Sequence, residues 1–118
     1  MSNNIEIKHT SRVIYAKLPD GSKAYIKYSV EGNTMKLLAT YTPPQHRGKG
    51  IARRLMDYAI ELAARNNWLI EPICSYSIHY FIKNPDKRKY LVEKYRNMSE
   101  EELKKYFEQR LKEEQEKE

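Results

Sequence analysis

At the centre of this 118-residue chain lies the segment PPQHRGKG, residues 43–50. Before it, apolar and polar residues alternate, and after it apolar residues recur every three or four positions. Alternation is typical of strands, whereas the wider spacing is typical of a helix that buries one face. The segment therefore marks a change from strand to helix, and its double proline ends the last strand because proline donates no ladder hydrogen bond.

Three segments upstream predict an antiparallel meander, because each alternates and the first two end at turn signals. The strands are residues 12–18, 24–30 and 35–42, and the turns are residues 19–22 and 31–33. The third strand is the most apolar, so we expect it near the centre of the sheet. Residues 5–8 predict an additional edge strand.

Downstream, the apolar spacing predicts a long helix over residues 51–66, and residues 68–74 predict a buried strand. A strand that follows a helix in this way pairs in parallel with a preceding strand. The fold class is therefore α/β (α+β): an antiparallel meander, one long helix, a parallel strand and a helical C-terminal part.

The C-terminal part predicts three further helices. Ser75 is expected to cap the first, which runs through residue 82, and residues 86–96 predict the second. Residues 99–102, Ser-Glu-Glu-Glu, form a capping box that opens the third, through about residue 112. We expect residues 113–118, which are all polar, to fray.

The composition excludes several classes of protein. Forty per cent hydrophobic and 32% charged residues are enough for one folded core but not for two domains. A single cysteine excludes an intramolecular disulfide, and no apolar run approaches the roughly 20 residues that cross a bilayer. The first ten residues lack the apolar stretch of a signal peptide, so we expect a cytoplasmic protein with no membrane partner. Three scattered histidines and one cysteine show no metal-ligand spacing.

Charge divides the chain into a basic body and an acidic tail. Residues 1–98 hold 17 basic and 8 acidic residues, a net charge of +9, whereas residues 99–118 carry a net charge of −3. We therefore predict a functional domain over residues 1–98 and an acidic helix over residues 99–118. The basic body attracts polyanions, which include nucleic acid, an anionic membrane surface and a phosphorylated small molecule.

The central segment predicts a phosphate-binding loop. Gly48 and Gly50 allow a tight turn and a close approach of the backbone to a ligand, and the amides that follow form the positive end of a helix. Neither a Walker loop nor a complete dinucleotide fingerprint is present. The alternative is a glycine-rich connection with no ligand.

Two motifs resemble those of a known family. Gln45, Gly48 and Gly50 match the cofactor-loop pattern [Q/R]-x-x-G-x-[G/A] of the GNAT superfamily of acyl-CoA-dependent N-acyltransferases. Residues 72–76, Pro-Ile-Cys-Ser-Tyr, followed by Asn-Pro at 84–85, resemble the signature of its minimal, small-domain branch. The resemblance covers about residues 12–96.

The resemblance implies a reduced GNAT fold and an N-acetyltransferase that moves an acetyl group from acetyl-CoA (a coenzyme A thioester) to an amine. The acceptor and the oligomeric state are left open. The implied cofactor-binding residues, including basic candidates for the 3′-phosphate, are Gln45, His46, Arg47, Gly48, Lys49, Gly50, Ile51, Ala52, Arg53 and Lys83.

Three residues are the catalytic candidates: Cys74, Tyr76 and Tyr80. Cys74 precedes a helix start, where a thiolate is stabilised, so it could form an acyl intermediate; the alternative is a buried structural cysteine. Many relatives in the branch carry a candidate histidine base at the position of Ala39, which cannot move a proton. Direct transfer in a ternary complex, with Tyr76 or Tyr80 as the acid, is the simpler mechanism.

Two other functions compete with the acyltransferase. The chain could be a coenzyme A-binding module without catalysis, which agrees with Ala39. It could also be a nucleic-acid-binding domain that uses its basic body. We rank this last, because the chain has no recognisable nucleic-acid motif and its basic residues are spread along strands and loops.

Overall fold

The computed structural model describes residues 5–116, which form one five-stranded sheet and four α-helices. The strands are β1 (Ile7–His9), β2 (Val13–Lys17), β3 (Lys23–Glu31), β4 (Thr34–Tyr41) and β5 (Leu69–Pro72). The helices are α1 (Ile51–Arg65), α2 (Ser75–Lys83), α3 (Glu93–Arg96) and α4 (Glu100–Glu116). None of these helices is both long enough and apolar enough to cross a membrane.

The sheet has the strand order β1-β2-β3-β4-β5. Strands β1 to β4 are antiparallel neighbours, and β5 pairs in parallel with β4 after the crossover through α1. The predicted meander, long helix and parallel strand are thus confirmed. The edge strand lies at Ile7–His9 rather than residues 5–8, and β5 ends at Pro72 because the chain then turns into α2.

One face of the sheet and the apolar face of α1 enclose the core. Ile14, Ile26 and Leu37 are fully buried on the sheet, and Leu55 and Met56 are fully buried on α1. These residues alternate along the strands and recur every three or four positions along the helix, as the sequence predicts. The predicted buried face of each element is therefore the one that forms the core.

A β-bulge interrupts β4 at Leu38. Leu37 lies opposite Tyr28 and Ala39 lies opposite Lys27, so Leu38 is an extra residue with no partner across the ladder. The bulge changes which residues of β4 face the core. Met35 and Leu37 do so before it, whereas after it Thr40 lies opposite the buried Ile26.

The predicted helix over residues 86–96 is wrong. Residues Pro85–Tyr90 form a 3₁₀ helix, and α3 occupies only Glu93–Arg96. Between them, the buried Leu91 forms a bridge with Ile70 of β5, and the Val92 N–H donates to the Ile70 carbonyl. This tertiary pairing requires extended backbone at residues 91–92 and so breaks the helix.

Helix α4 begins as predicted and ends later than predicted. The Ser99 N–H donates to Glu102 and the Ser99 hydroxyl accepts from the Glu102 N–H, which confirms the capping box. The helix continues through Glu116, so the fraying predicted from residue 113 is wrong for residues 113–116; residues 117–118 lie outside the described part of the chain. Contacts of Arg110 and Glu114 with the body hold its last turns in place.

Candidate active site

The predicted phosphate loop lies between β4 and α1 and is held by a turn of the meander. Asp20, between β2 and β3, accepts hydrogen bonds from Gln45 Nε2 at 3.1 Å and lies 3.0 Å from His46 Nε2. Arg47 Nε donates to the Thr42 carbonyl at 2.9 Å. The side chains of Gln45 and His46 are therefore used to anchor the loop.

Gly48 and Gly50 both have positive φ angles, 83° and 80°, which side-chain-bearing residues rarely adopt. A Cβ added at either glycine would meet no atom within 4 Å. Gly50 is the N-cap of α1, and no side chain caps this helix end. The backbone thus leaves the positive helix end open at the surface.

A groove of about 680 Å³ runs along this loop. Its walls come from the end of β4, the loop, the first turn of α1, the start of α2 and one residue of α4. The lining residues are Thr40, Tyr41, Thr42, His46, Arg47, Gly48, Gly50, Ile51, Ala52, Arg53, Ser75, Tyr76 and Leu111. The structure therefore brings most of the predicted cofactor residues to one groove, and Arg47 and Arg53 give it positive charge.

Three predicted cofactor residues do not line the groove. Gln45 contacts Asp20, and Lys49, between the two glycines of the loop, is exposed. Lys83 lies at the far end of α2 and lines none of the cavities described. Of the basic candidates for a phosphate beyond the loop, Arg53 alone contributes to the groove wall.

Cys74 lies where β4 and β5 separate. The N–H groups of Ile73 and Cys74 both donate to the Leu37 carbonyl, and β4 continues past this point without a partner on that side. A second cavity of about 210 Å³ opens here, lined by Leu38, Ala39, Thr40, Cys74, Ser75, Tyr76, Arg110 and Glu114. It shares Thr40, Ser75 and Tyr76 with the groove, so the two spaces are adjacent.

Cys74 is only 3% exposed, and its sulfur lies 3.2 Å from the Thr40 hydroxyl. Ala39 borders the same cavity, but the bulge at Leu38 places its side chain on the face of the sheet shared with Lys27. Thr40, which the sequence does not single out, is thus the β4 side chain that reaches the cysteine.

The expected role of Ser75 as a cap of α2 is wrong. Cys74 is the N-cap, and Ser75 is the first helical residue. The Ser75 N–H and hydroxyl donate to the two oxygens of Glu114, at 2.8 Å and 2.6 Å. A carboxylate from α4 therefore satisfies the start of α2, because negative charge is favoured at a helix N-terminus.

The two candidate tyrosines are in different places. Tyr76 is half-buried and lines both the groove and the cysteine cavity, and burial raises the pKa of its hydroxyl. Tyr80 is almost fully buried on the other side of α2, where its hydroxyl donates to Asp57 Oδ1 at 2.8 Å. Burial and, second, the Asp57 contact raise the pKa of Tyr80. Tyr76 alone is placed at the site.

Two residues of α4 complete the cysteine cavity. Arg110 Nε donates to the Ile73 carbonyl at 2.7 Å and its Nη1 lies 2.5 Å from Glu113, while Glu114 contacts Ser75. The sequence predicts no site residue in α4. The one feature of the sequence that could point to them is the i, i+4 spacing of Arg110 and Glu114, which puts both on one face of the helix. This spacing does not indicate which part of the fold that face contacts.

The hydrogen bonds that Asp20 accepts predict a pH-dependent stability. Hydrogen bonds from Ser22 and then from Gln45 and His46 hold the pKa of Asp20 well below its usual range. A lowered carboxyl pKa stabilises the fold above the pKa of the unfolded chain, and this stabilisation is lost as pH falls. The melting temperature of the wild type should therefore be higher than that of Asp20→Asn at pH 7, and the difference should be smaller at pH 2.5. A difference that is constant with pH would show that these hydrogen bonds do not lower the pKa of Asp20 in the folded chain.

Comparison with known proteins agrees with this geometry. Residues 14–91 match the model of the GCN5-related N-acetyl-transferase family. A GCN5-like protein from Staphylococcus aureus, solved by NMR, has the same fold, with a TM-score of 0.58 and 24% identity over 77% of this chain and 91% of that chain. The family resemblance and the fold class are confirmed, and residues 92–116 lie outside the family match. The chain belongs to the GCN5-related N-acetyl-transferase family.

Proposed function

We propose that this protein is an acetyl-CoA-dependent N-acyltransferase that acetylates an amine. The observation that carries the proposal is the groove itself, in which two glycines of positive φ and an uncapped helix end lie beside two arginines. Free N–H groups and a positive helix end bind phosphate oxygens. These donors fit the diphosphate of coenzyme A.

Different parts of the groove would bind the cofactor and donate a proton. The backbone at Gly48–Ala52 would hold the diphosphate, with charge from Arg47 and Arg53, and the separated strands β4 and β5 would admit the pantetheine arm. When bound, the cofactor supplies an acetyl group activated as a thioester. Like any tyrosine at neutral pH, Tyr76 is protonated, and the burial that raises its pKa keeps it so; it would donate its proton to the departing sulfur.

The cysteine cavity fits the acceptor amine. Arg110 is paired with Glu113, so the charge of Glu114 is the one that an incoming cation meets. Glu114 would bind the ammonium group of the acceptor and take its proton, which leaves a neutral amine as nucleophile. Direct transfer is favoured over an acyl-Cys74 route, because Cys74 is buried and the Ser75 N–H that would stabilise its thiolate already binds Glu114.

Two measurements test the function. Isothermal titration with acetyl-CoA should show specific binding, and intact-mass analysis of a primary amine incubated with protein and acetyl-CoA should show a gain of one acetyl group. An adduct on the protein that is absent in Cys74→Ser would establish the covalent route instead. Binding without transfer to any amine would favour the non-catalytic coenzyme A module, and no binding would refute both functions. The cytoplasmic location stays a prediction.

The different placement of the two tyrosines gives a matched pair of variants. Tyr76→Phe should lower kcat about 10- to 100-fold, since it removes the proton donor, and should leave the cofactor Kd within about twofold. Tyr80→Phe should leave kcat unchanged and cost about 1 kcal/mol of stability through the lost Asp57 hydrogen bond. Steady-state kinetics and denaturant unfolding measure both. A larger kcat loss in Tyr80→Phe would assign the acid to Tyr80.

A further inference from the structure

The sheet has a second face, opposite the one that packs on α1, and a row of tyrosines crosses it. Tyr15 on β2 lies opposite Tyr25 on β3, and Tyr25 lies opposite Tyr41 on β4. Lys8 on β1 continues the row beside Tyr15. Tyr41 is 40% exposed, and the other two rings are half-buried. Three aromatic rings are therefore available side by side on one surface.

Lysines lie on both sides of this tyrosine row. The pair Lys17 and Lys23 occupies the neighbouring row on one side, and Lys27 occupies the row on the other. The Lys23 ammonium lies 5.4 Å from the centre of the Tyr15 ring, and the Lys27 ammonium lies 5.8 Å from the centre of the Tyr25 ring. Arg12 adds a further cation at the edge of a shallow hollow that Tyr25 and Lys27 also line.

Within the described strands and the turns between them, acidic side chains lie at the margins of this surface. Glu6 is 4.0 Å from Lys8 at the β1 edge, and Glu31, at the far end of β3, forms an ion pair with Lys36. Glu71 lies on β5 beside Lys36. Asp20 belongs to the turn between β2 and β3 and is bound by the phosphate loop. The centre of the face is thus cationic and aromatic.

We propose that this face, the tyrosine row with its flanking lysines, binds single-stranded nucleic acid. Exposed aromatic rings stack on the bases of a single strand whatever its sequence, and lysines bind the phosphates between the bases. Neighbouring strands lie about 4.8 Å apart, so the row spans about 10 Å, a length that suits two or three bases. The lysines that now lie over Tyr15 and Tyr25 move to phosphates when bases take the ring faces.

Charge complementarity and the rings together select the ligand. A duplex hides the faces of its bases, so it would use the lysines alone, and a polyanion without bases would do the same. The sequence ranks nucleic acid last because the basic residues are scattered along the chain. The register of β1, β2 and β3 gathers five of them, Lys8, Arg12, Lys17, Lys23 and Lys27, around this face.

Fluorescence anisotropy with a labelled 12-nucleotide oligothymidylate tests the proposal on the full chain without cofactor. We expect binding with a Kd below about 100 µM at 50 mM salt, at least tenfold tighter than to a duplex of the same length or to inorganic polyphosphate. Excess coenzyme A should not displace the oligonucleotide, because Tyr15, Tyr25 and the flanking lysines lie outside the cofactor groove, which Tyr41 alone of the row also lines. Independence from the cofactor keeps this result distinct from any failure of the proposed function.

Variants with matched controls locate the binding surface. Tyr25→Thr, which keeps strand propensity, should weaken binding about tenfold, whereas Tyr90→Thr, which removes another tyrosine with a lysine over its ring, should not. Binding weakens with salt, so log K falls as log salt rises. The triple change Lys17→Gln, Lys23→Gln, Lys27→Gln should make this negative slope shallower by about 2. Lys104→Gln, Lys105→Gln, Lys112→Gln on α4 removes the same charge and should change the slope less.

Three outcomes would overturn the proposal: equal affinity for duplex or polyphosphate, displacement by coenzyme A, or equal effects of the test and control variants. Thermal unfolding of each variant confirms that it is folded before binding is compared. A variant that fails to fold is replaced by Tyr15→Thr, which removes the ring beside Tyr25 and lies outside the cofactor groove, with the same expected loss.

Discussion

Replacement of Gly50 by valine should weaken acetyl-CoA binding at least about 100-fold, which corresponds to about 2.7 kcal/mol. Gly50 has a φ of 80° and is the N-cap of α1, and a β-branched residue in this region is strained by about 1–3 kcal/mol. We expect the chain to relieve that strain by rotating the peptide units at the start of α1, which line the groove. Isothermal titration measures the loss.

A matched variant separates strain from site geometry. Gly32, in the turn between β3 and β4, also has a positive φ, and an added Cβ there also meets no atom within 4 Å. Gly32→Val should lower the unfolding midpoint but keep cofactor affinity within about twofold. Equal affinity losses in Gly32→Val and Gly50→Val would mean that the loop does not bind the cofactor.

Leu103→Ala should cost about 2–5 kcal/mol in the free energy of unfolding. Leu103 is fully buried although it belongs to α4, outside the family match. Further along the helix, Tyr106 stacks on Tyr95 with ring centres 5.3 Å apart and donates to the Pro72 carbonyl. The helix is thus packed against the body, and denaturant unfolding measures how much it contributes.

Leu111→Ala on the same helix is the control, because Leu111 is 36% exposed. Its cost should stay within about 0.5 kcal/mol. If Leu103→Ala costs no more than this control, α4 does not share the core and is independent of the body. If the expected cost is found, hydrogen exchange should show that the α4 amides are protected together with those of α2.

Local patterns predict most of this fold because they report which side of each element is buried. The strands β2 to β4 and the helix α1 agree with their predicted bounds to within about two residues. The pairing of Leu91 with Ile70 could not be found in the same way, because it joins residues 21 positions apart and overrides a local helical spacing. The bulge at Leu38 has no glycine or proline to mark it.

The site was predictable where it depends on local backbone and not where it depends on distant contacts. The spacing of Gly48 and Gly50 was enough to predict a tight turn between strand and helix, because the positive φ angles at these two positions are a property of the local backbone. The contact of Ser75 with Glu114 joins residues 39 positions apart, and that of Gln45 with Asp20 joins residues 25 apart. Such pairs depend on the topology, which a short motif does not contain.

The extra residue in β4 limits the changes of length that the chain can tolerate. Core-facing positions run 35, 37 and then 40, because the extra residue shifts the alternation by one. Deletion of Leu38 would therefore restore regular pleating and keep Thr40 opposite Ile26, on the side of Cys74. A deletion at the bulge would thus keep the register on both sides of it, whereas a deletion of one residue elsewhere in β4 would move side chains from one face of the sheet to the other. Insertions in the hairpin at Gly32 would shift no register and should be accepted.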